Sequence, residues 1–152
     1  RVYFEAIHDR MRTFAPSAMA IFVLETAGGA NVAGHAVPRR NTVIADFGKE
    51  RILSLADEID VYLAQSGPMN RPTLGILKAE PGYHLIRAVR QGRIYFIDEK
   101  LVSRPTLRML NGMCRMIQIL YPRLFTEEAD AFGCSRRAVA GAGQWMQKEN
   151  QP

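Results

Sequence analysis

The stretch "LETAGGANVAG", residues 24–34, decides how this chain is read, because its paired glycines can do one of two jobs. They either cradle a phosphate between a strand and a helix, or they end a helix. Upstream lies "SAMAIFVLETA", a run of helix formers with Ser17 placed as an N-cap just after Pro16. Gly28 and Gly29 therefore follow helical residues, at the position where a chain needs positive φ to leave a helix. A phosphate loop requires the reverse order, with the glycines after a strand and before a helix. The glycines stop a helix, and the strongest candidate for nucleotide binding disappears.

Working outward, "VYFEAI" at residues 2–7 alternates β-branched and aromatic residues and reads as a strand, whereas "HDRMRTFAP" reads as a polar loop. After a loop at 34–40 come a short extended piece and a two-turn helix over 49–56, then an apolar strand, "DVYLAQ". "RPTLGILKAE" opens with a proline suited to a first helical turn, and "HLIRAV" reads as a short helix after the turn "EPGY". In "QGRIYFID", residues 94–97 are continuously apolar, as in a strand buried on both faces. From Pro105 a longer helix places Leu107, Leu110, Cys114, Ile117 and Tyr121 at alternating intervals of three and four, the spacing of a core stripe. Beyond Pro122 a further helical stretch is interrupted by Gly133, Gly141 and Gly143. Strands alternating with helices imply an α/β fold: a three-layer lobe with a mostly parallel central sheet flanked by helices. Ligands of such sheets gather at the carboxyl ends of the strands, here the loops from His8, Gln65 and Asp98.

At 152 residues with 47% hydrophobic content, the chain can bury one core and is short for two domains. Its net charge of +5 is spread from Arg1 to Lys148, which describes a solvated basic surface. No helix-turn-helix with a basic recognition face stands out, so no nucleic-acid partner is expected. The two cysteines lack CxxC spacing, which argues against a zinc site and leaves a disulfide open, and Cys114 reads as a core thiol within its apolar helix. No apolar run approaches the roughly 18 residues of a membrane span. With no signal sequence and no initial methionine, "RVYFEAI" is expected to be the start of a piece of something longer.

Catalytic spacing is missing: there is no GxSxG, no HExxH, no P-loop lysine and no GxGxxG after a strand. His8, His35 and His84 are scattered, and His8 beside Asp9 reads as an ordinary exposed loop pair. The sharper alternative makes His8 and Met69 soft ligands for a metal carried inside a cofactor. "SGPMNRP", residues 66–72, follows a strand and presents Ser66, Met69 and Asn70 at the mouth of the sheet. In "LVSRPTLR", Ser103 and Arg104 precede a helix start, where an anionic or carbonyl-rich ligand would be welcome.

Taken in order, "VYFE", "LETAGGANVA", "GKERILSLADEIDVYLA", "IRAVRQGRIYFID" and "SRPTLRML" resemble the C-terminal lobe of the substrate-binding proteins of ABC importers, in the group that handles cobalamin, ferric siderophores and haem. The resemblance covers residues 1 to about 122, which would be the lobe, with 123–152 a helical extension packed on it. It implies two α/β lobes closing on a metal-chelate ligand, a missing N-terminal lobe, delivery to a membrane permease, and no catalysis. It also implies a periplasmic or otherwise extracytoplasmic location, with a lipid anchor upstream as one option. No resident cofactor or metal site is expected, although the cargo can itself carry iron or cobalt. By position, Glu50 in "GKERIL" matches the glutamate that docks on the permease, and a carboxylate is independently favourable in a first helical turn. The strand-end loops make His8, Arg12, Ser66, Met69, Asn70, Ser103 and Arg104 the ligand-binding candidates. The family's cobalamin binders carry an aromatic contact shortly before that glutamate; here Ile44 stands near that place and Phe47 lies closer to Glu50. Two other readings compete: a regulatory ligand-sensing domain of the same fold, and a Rossmann-type enzyme domain built on the same loops.

Overall fold

The structure, a computed structural model, describes residues 1–68 and 70–124. Met69 and all but the first two residues of the expected extension lie outside the described residues.

Five strands form one sheet in the order β3-β2-β1-β4-β5. They are β1 (Val2–Ile7), β2 (Arg12–Phe14), β3 (Ile44–Asp46), β4 (Val61–Ser66) and β5 (Ile94–Asp98). β1 pairs parallel with β4 and β4 with β5, while β2 and β3 add an antiparallel edge. The helices are α1 (Met19–Thr26), α2 (Lys49–Ser54), α3 (Leu74–Ala79), α4 (Arg87–Arg90), α5 (Glu99–Val102) and α6 (Arg108–Leu120). Because strand side chains alternate between faces, β1 sends Val2, Phe4 and Ala6 into a core with α1, α5 and α6. Tyr3 goes to a second core with α2, α3 and α4. The result is three layers, helix–sheet–helix.

The glycines of the opening stretch behave as helix stops. Gly28 has φ of 84°, and its N–H bonds the Glu25 carbonyl while that of Gly29 bonds the Leu24 carbonyl, the two bonds of a Schellman motif. The helix itself starts one residue later than expected, with Ala18 and not Ser17 at the N-cap.

Several sequence expectations are corrected. "HDRMRTFAP" contains a 3-10 turn, His8–Arg10, and the whole of β2, whose Thr13 and Phe14 are buried against β1. β5 is an edge strand with Tyr95 and Phe96 only partly buried, because nothing among the described residues pairs with its outer side. The expected core stripe on α6 holds only at Ile117, which packs partly buried against the core, whereas Leu107 is 86% and Leu110 56% exposed. The buried side carries Gly112, Met116 and Ile119, with Met109, Met113 and Leu120 partly buried beside them. Gly112 sets this rotation, since a Cβ there would collide with the Leu101 carbonyl where α6 crosses α5. Cys114, expected in the core, is only half-buried on α6.

Candidate functional site

Parallel strands end on a common side, so Ile7, Ser66 and Asp98, the last residues of β1, β4 and β5, share one rim. The antiparallel edge brings more chain there. Arg12, which opens β2, pairs with Ile7 after a register shift in β1, and Asp46, which closes β3, pairs with Arg12. Register shifts of this kind bend a strand and re-aim its side chains. The turn at His8–Arg10, the start of α2, residues 66–68 with Asn70, and α5 with the residues after it therefore line one edge of the sheet.

Side chains stitch these segments together. The His8 amide donates to Asn70 Oδ1 at 3.0 Å, and Asn70 Nδ2 donates to the Gln65 carbonyl at 2.6 Å. Gly67 and Asn70 exchange backbone hydrogen bonds at 2.8 and 3.2 Å. Ser103 Oγ donates to Gln65 Oε1 at 2.8 Å, and Gln65 Nε2 donates to Glu99 at 3.3 Å. The Gly48 amide, at the start of α2, donates to the Met11 carbonyl at 3.0 Å.

Two electrostatic features stand out. On the surface, Arg12 Nε meets Asp46 at 2.7 Å and Arg39 reaches the same carboxylate at 3.3 Å. The Arg12 hydrogen bond is the main reason that the Asp46 carboxyl is held below its ordinary range. Beside this pair lies an open depression of about 420 Å³ lined by Ile7, Asp9, Arg10, Arg12 and Arg39. Beneath the surface, Glu5 is fully buried and accepts hydrogen bonds from the Tyr62 hydroxyl and from His8 Nδ1, the latter at 3.0 Å. Glu5 Oε1 and the Tyr3 hydroxyl have no hydrogen-bond partner among the described residues. The Glu5 hydrogen bond raises the His8 pKa above 6.5 against the opposing effect of burial, and burial pushes the Tyr62 phenol well up. Tyr83 completes the cluster, its hydroxyl 3.5 Å from that of Tyr62 and 3.1 Å from Met11 Sδ.

The candidates from sequence thus divide. Arg12, Ser66, Ser103 and Arg104 lie along the rim, and Arg104 is exposed with no ion-pair partner among the described residues. His8, 4% exposed, and Asn70 are buried and hold the rim from below. His8 is no exposed loop pair with Asp9; its carboxylate partner is Glu5. Ser103 and Arg104 follow α5, a helix that the sequence reading left out, and Ser103 is its C-cap. Met69 lies outside the described residues. Glu50 is exposed in the first turn of α2, on the rim side. Phe47 is buried against Tyr3, with ring centroids 5.7 Å apart, and Ile44 is half-buried in β3. Sequence reasoning missed Glu5, Arg10, Arg39 and Gln65. A charged residue inside an otherwise apolar strand was the available signal for Glu5. Among the described residues, no group of three or more His, Cys, Asp or Glu side chains is placed to hold a metal.

No family model matches the chain, and no curated protein sequence matches it. Solved structures do. The molybdate periplasmic binding protein MolA of Haemophilus influenzae, bound to molybdate, aligns with a TM-score of 0.65 at 19% identity, over 81% of this chain and 36% of that one. The periplasmic vitamin B12-binding protein BtuF of Vibrio cholerae gives 0.62 at 15% identity, over 82% and 46%. Helicobacter pylori CeuE with Ni(II) bound gives 0.64 at 14%, over 81% and 38%. The chain spans less than half the length of these proteins and has the fold of one lobe of a periplasmic binding protein.

Proposed function

We propose that this chain is the C-terminal lobe of the substrate-binding protein of an ABC importer, which captures an iron-siderophore, corrinoid or haem-like chelate and delivers it to a membrane permease. One observation carries the reading: every segment ending or starting at the carboxyl edge of the parallel strands converges on one rim, in a fold shared with one lobe of the periplasmic binding proteins. An open rim of this kind is half a cleft, and an opposing lobe would complete the enclosure that large ligands need. Arg10, Arg12 and Arg39 around the depression suit carboxylate or phosphate groups on the cargo's edge, since charge-assisted hydrogen bonds are the stronger ones. Glu50, exposed beside this rim, is the candidate for contact with permease arginines. The absence of a nucleophile–base pair from the sequence motifs supports binding and delivery in place of catalysis.

Calorimetric titration of this lobe and of a two-lobed protein with cobalamin, haem and ferric hydroxamates tests the reading. The two-lobed protein should bind one of these chelates far more tightly than the lobe alone. Equal affinity in the two would contradict a shared cleft, and no binding to the two-lobed protein would remove the chelate assignment. Glu50→Arg in the two-lobed protein is expected to weaken its complex with the permease; an unaltered complex would take Glu50 out of the interface.

A further inference from the structure

The Glu5–His8 pair lies directly beneath the rim and belongs to no surface contact. We propose that Glu5 is a positioning residue of the ligand rim, and that its buried pair with His8 is a pH-dependent brace joining the turn at the end of β1 to the loop after β4. This inference rests on the reading of the rim as half of a ligand cleft. The geometry supplies the linkage. His8 holds Glu5 through Nδ1 at 3.0 Å and, through its own amide, Asn70 Oδ1 at 3.0 Å. Asn70 in turn closes the bridge with Gly67 and bonds the Gln65 carbonyl, so one buried histidine ties together two segments that line the edge. The next residues, Asp9 and Arg10, line the surface depression, and Met11 sits at φ of 47°, a left-handed conformation uncommon for a non-glycine residue.

Every titratable or charged group acting on the His8 ring favours its cationic form or is neutral. Glu5 comes from β1, Asp9 from the turn itself, and Glu80 from the end of α3, where it is paired with Lys49 of α2. The Tyr83 ring meets the imidazole edge-on, and the Tyr62 hydroxyl donates to the same Glu5 oxygen, Oε2, that His8 holds. With His8 protonated, the fully buried Glu5 carboxylate faces a cation. With His8 neutral, the hydrogen bond can persist but the carboxylate loses its counter-charge, and a buried carboxylate without one is costly. The His8 pKa is raised, so the brace is complete below the ordinary histidine value of 6.5 and is lost as pH climbs through the higher folded value. A slackened turn then moves Asp9 and Arg10, so the grip should be tighter at mildly acidic pH than at alkaline pH.

NMR on the full chain tests this without any ligand. The His8 ring should titrate above its ordinary value, and that value should fall in Glu5→Gln. Amide exchange at His8, Gly67 and Asn70, corrected for intrinsic base catalysis, should accelerate several-fold as pH passes the His8 value, while exchange at Leu63 shows no such step. The step should vanish in His8→Gln. If Glu5→Gln does not fold, Tyr62→Phe replaces it and should move the His8 titration without abolishing it. A His8 ring that titrates at or below the ordinary value, or rim amides that show no step, would overturn the brace. A chain that binds no chelate leaves this experiment intact, so the two readings fail separately.

Discussion

On one face of the β1–β4 pair, Val2, Phe4, Ala6, Val61 and Leu63 pack against α1 and α6 with no polar side chain among them. On the other face, Tyr3, Glu5 and Tyr62 bury a carboxylate among phenol rings. Both faces exclude water, and they differ in what can change. The dry face holds no titratable side chain and responds to changes of volume. The polar face holds hydrogen bonds and a titratable pair, and it runs straight into the rim.

Substitutions can break this contrast, the largest effect coming first. Phe4→Ala removes a ring that sits edge-on to Phe14 at 4.8 Å, and should cost about 3–5 kcal/mol in denaturant unfolding. A loss below 1 kcal/mol, on the order of a surface substitution, would show that this face is not the main core. Tyr62→Phe takes one donor from the buried Glu5 and should cost about 1–3 kcal/mol, with the loss falling on the polar face alone. Gly28→Ala places a side chain at φ of 84° and should cost roughly 1 kcal/mol by the same measurement. A neutral outcome there would undo the account of how α1 ends. The smallest effect is the pH response: unfolding stability should decline gently as pH rises through the raised His8 value, and His8→Gln should flatten that slope.

The same contrast explains which features were legible in the sequence. β1, β4 and β5 were visible because β-branched and aromatic residues run along them, and α1 was visible because its glycines end it. β2 was not, because three residues, Arg12 to Phe14, inside a polar run carry no periodicity. The α6 stripe was misplaced because two apolar stripes fit its sequence, and the choice between them rests on Gly112 meeting the Leu101 carbonyl, a tertiary contact. The rim loops were located from the parallel-strand rule alone. The roles within them were not: His8 and Asn70 turned out to be supports beneath the rim, and Arg10 and Arg39 surround the depression, because burial and pairing arise from chain segments far apart in sequence.

The two ends of the sheet offer the final comparison. At the end opposite the rim, Arg1, Asp57, Glu58, Asp60, Arg87 and Arg90 are joined in ion pairs. Chemical-shift mapping of this chain with cobalamin, haem and a ferric hydroxamate is the most direct test of where cargo is gripped. The account predicts perturbations confined to residues 7–12, 46–50, 65–70 and 98–104. Perturbations gathered around Asp60 and Arg87 instead would contradict it.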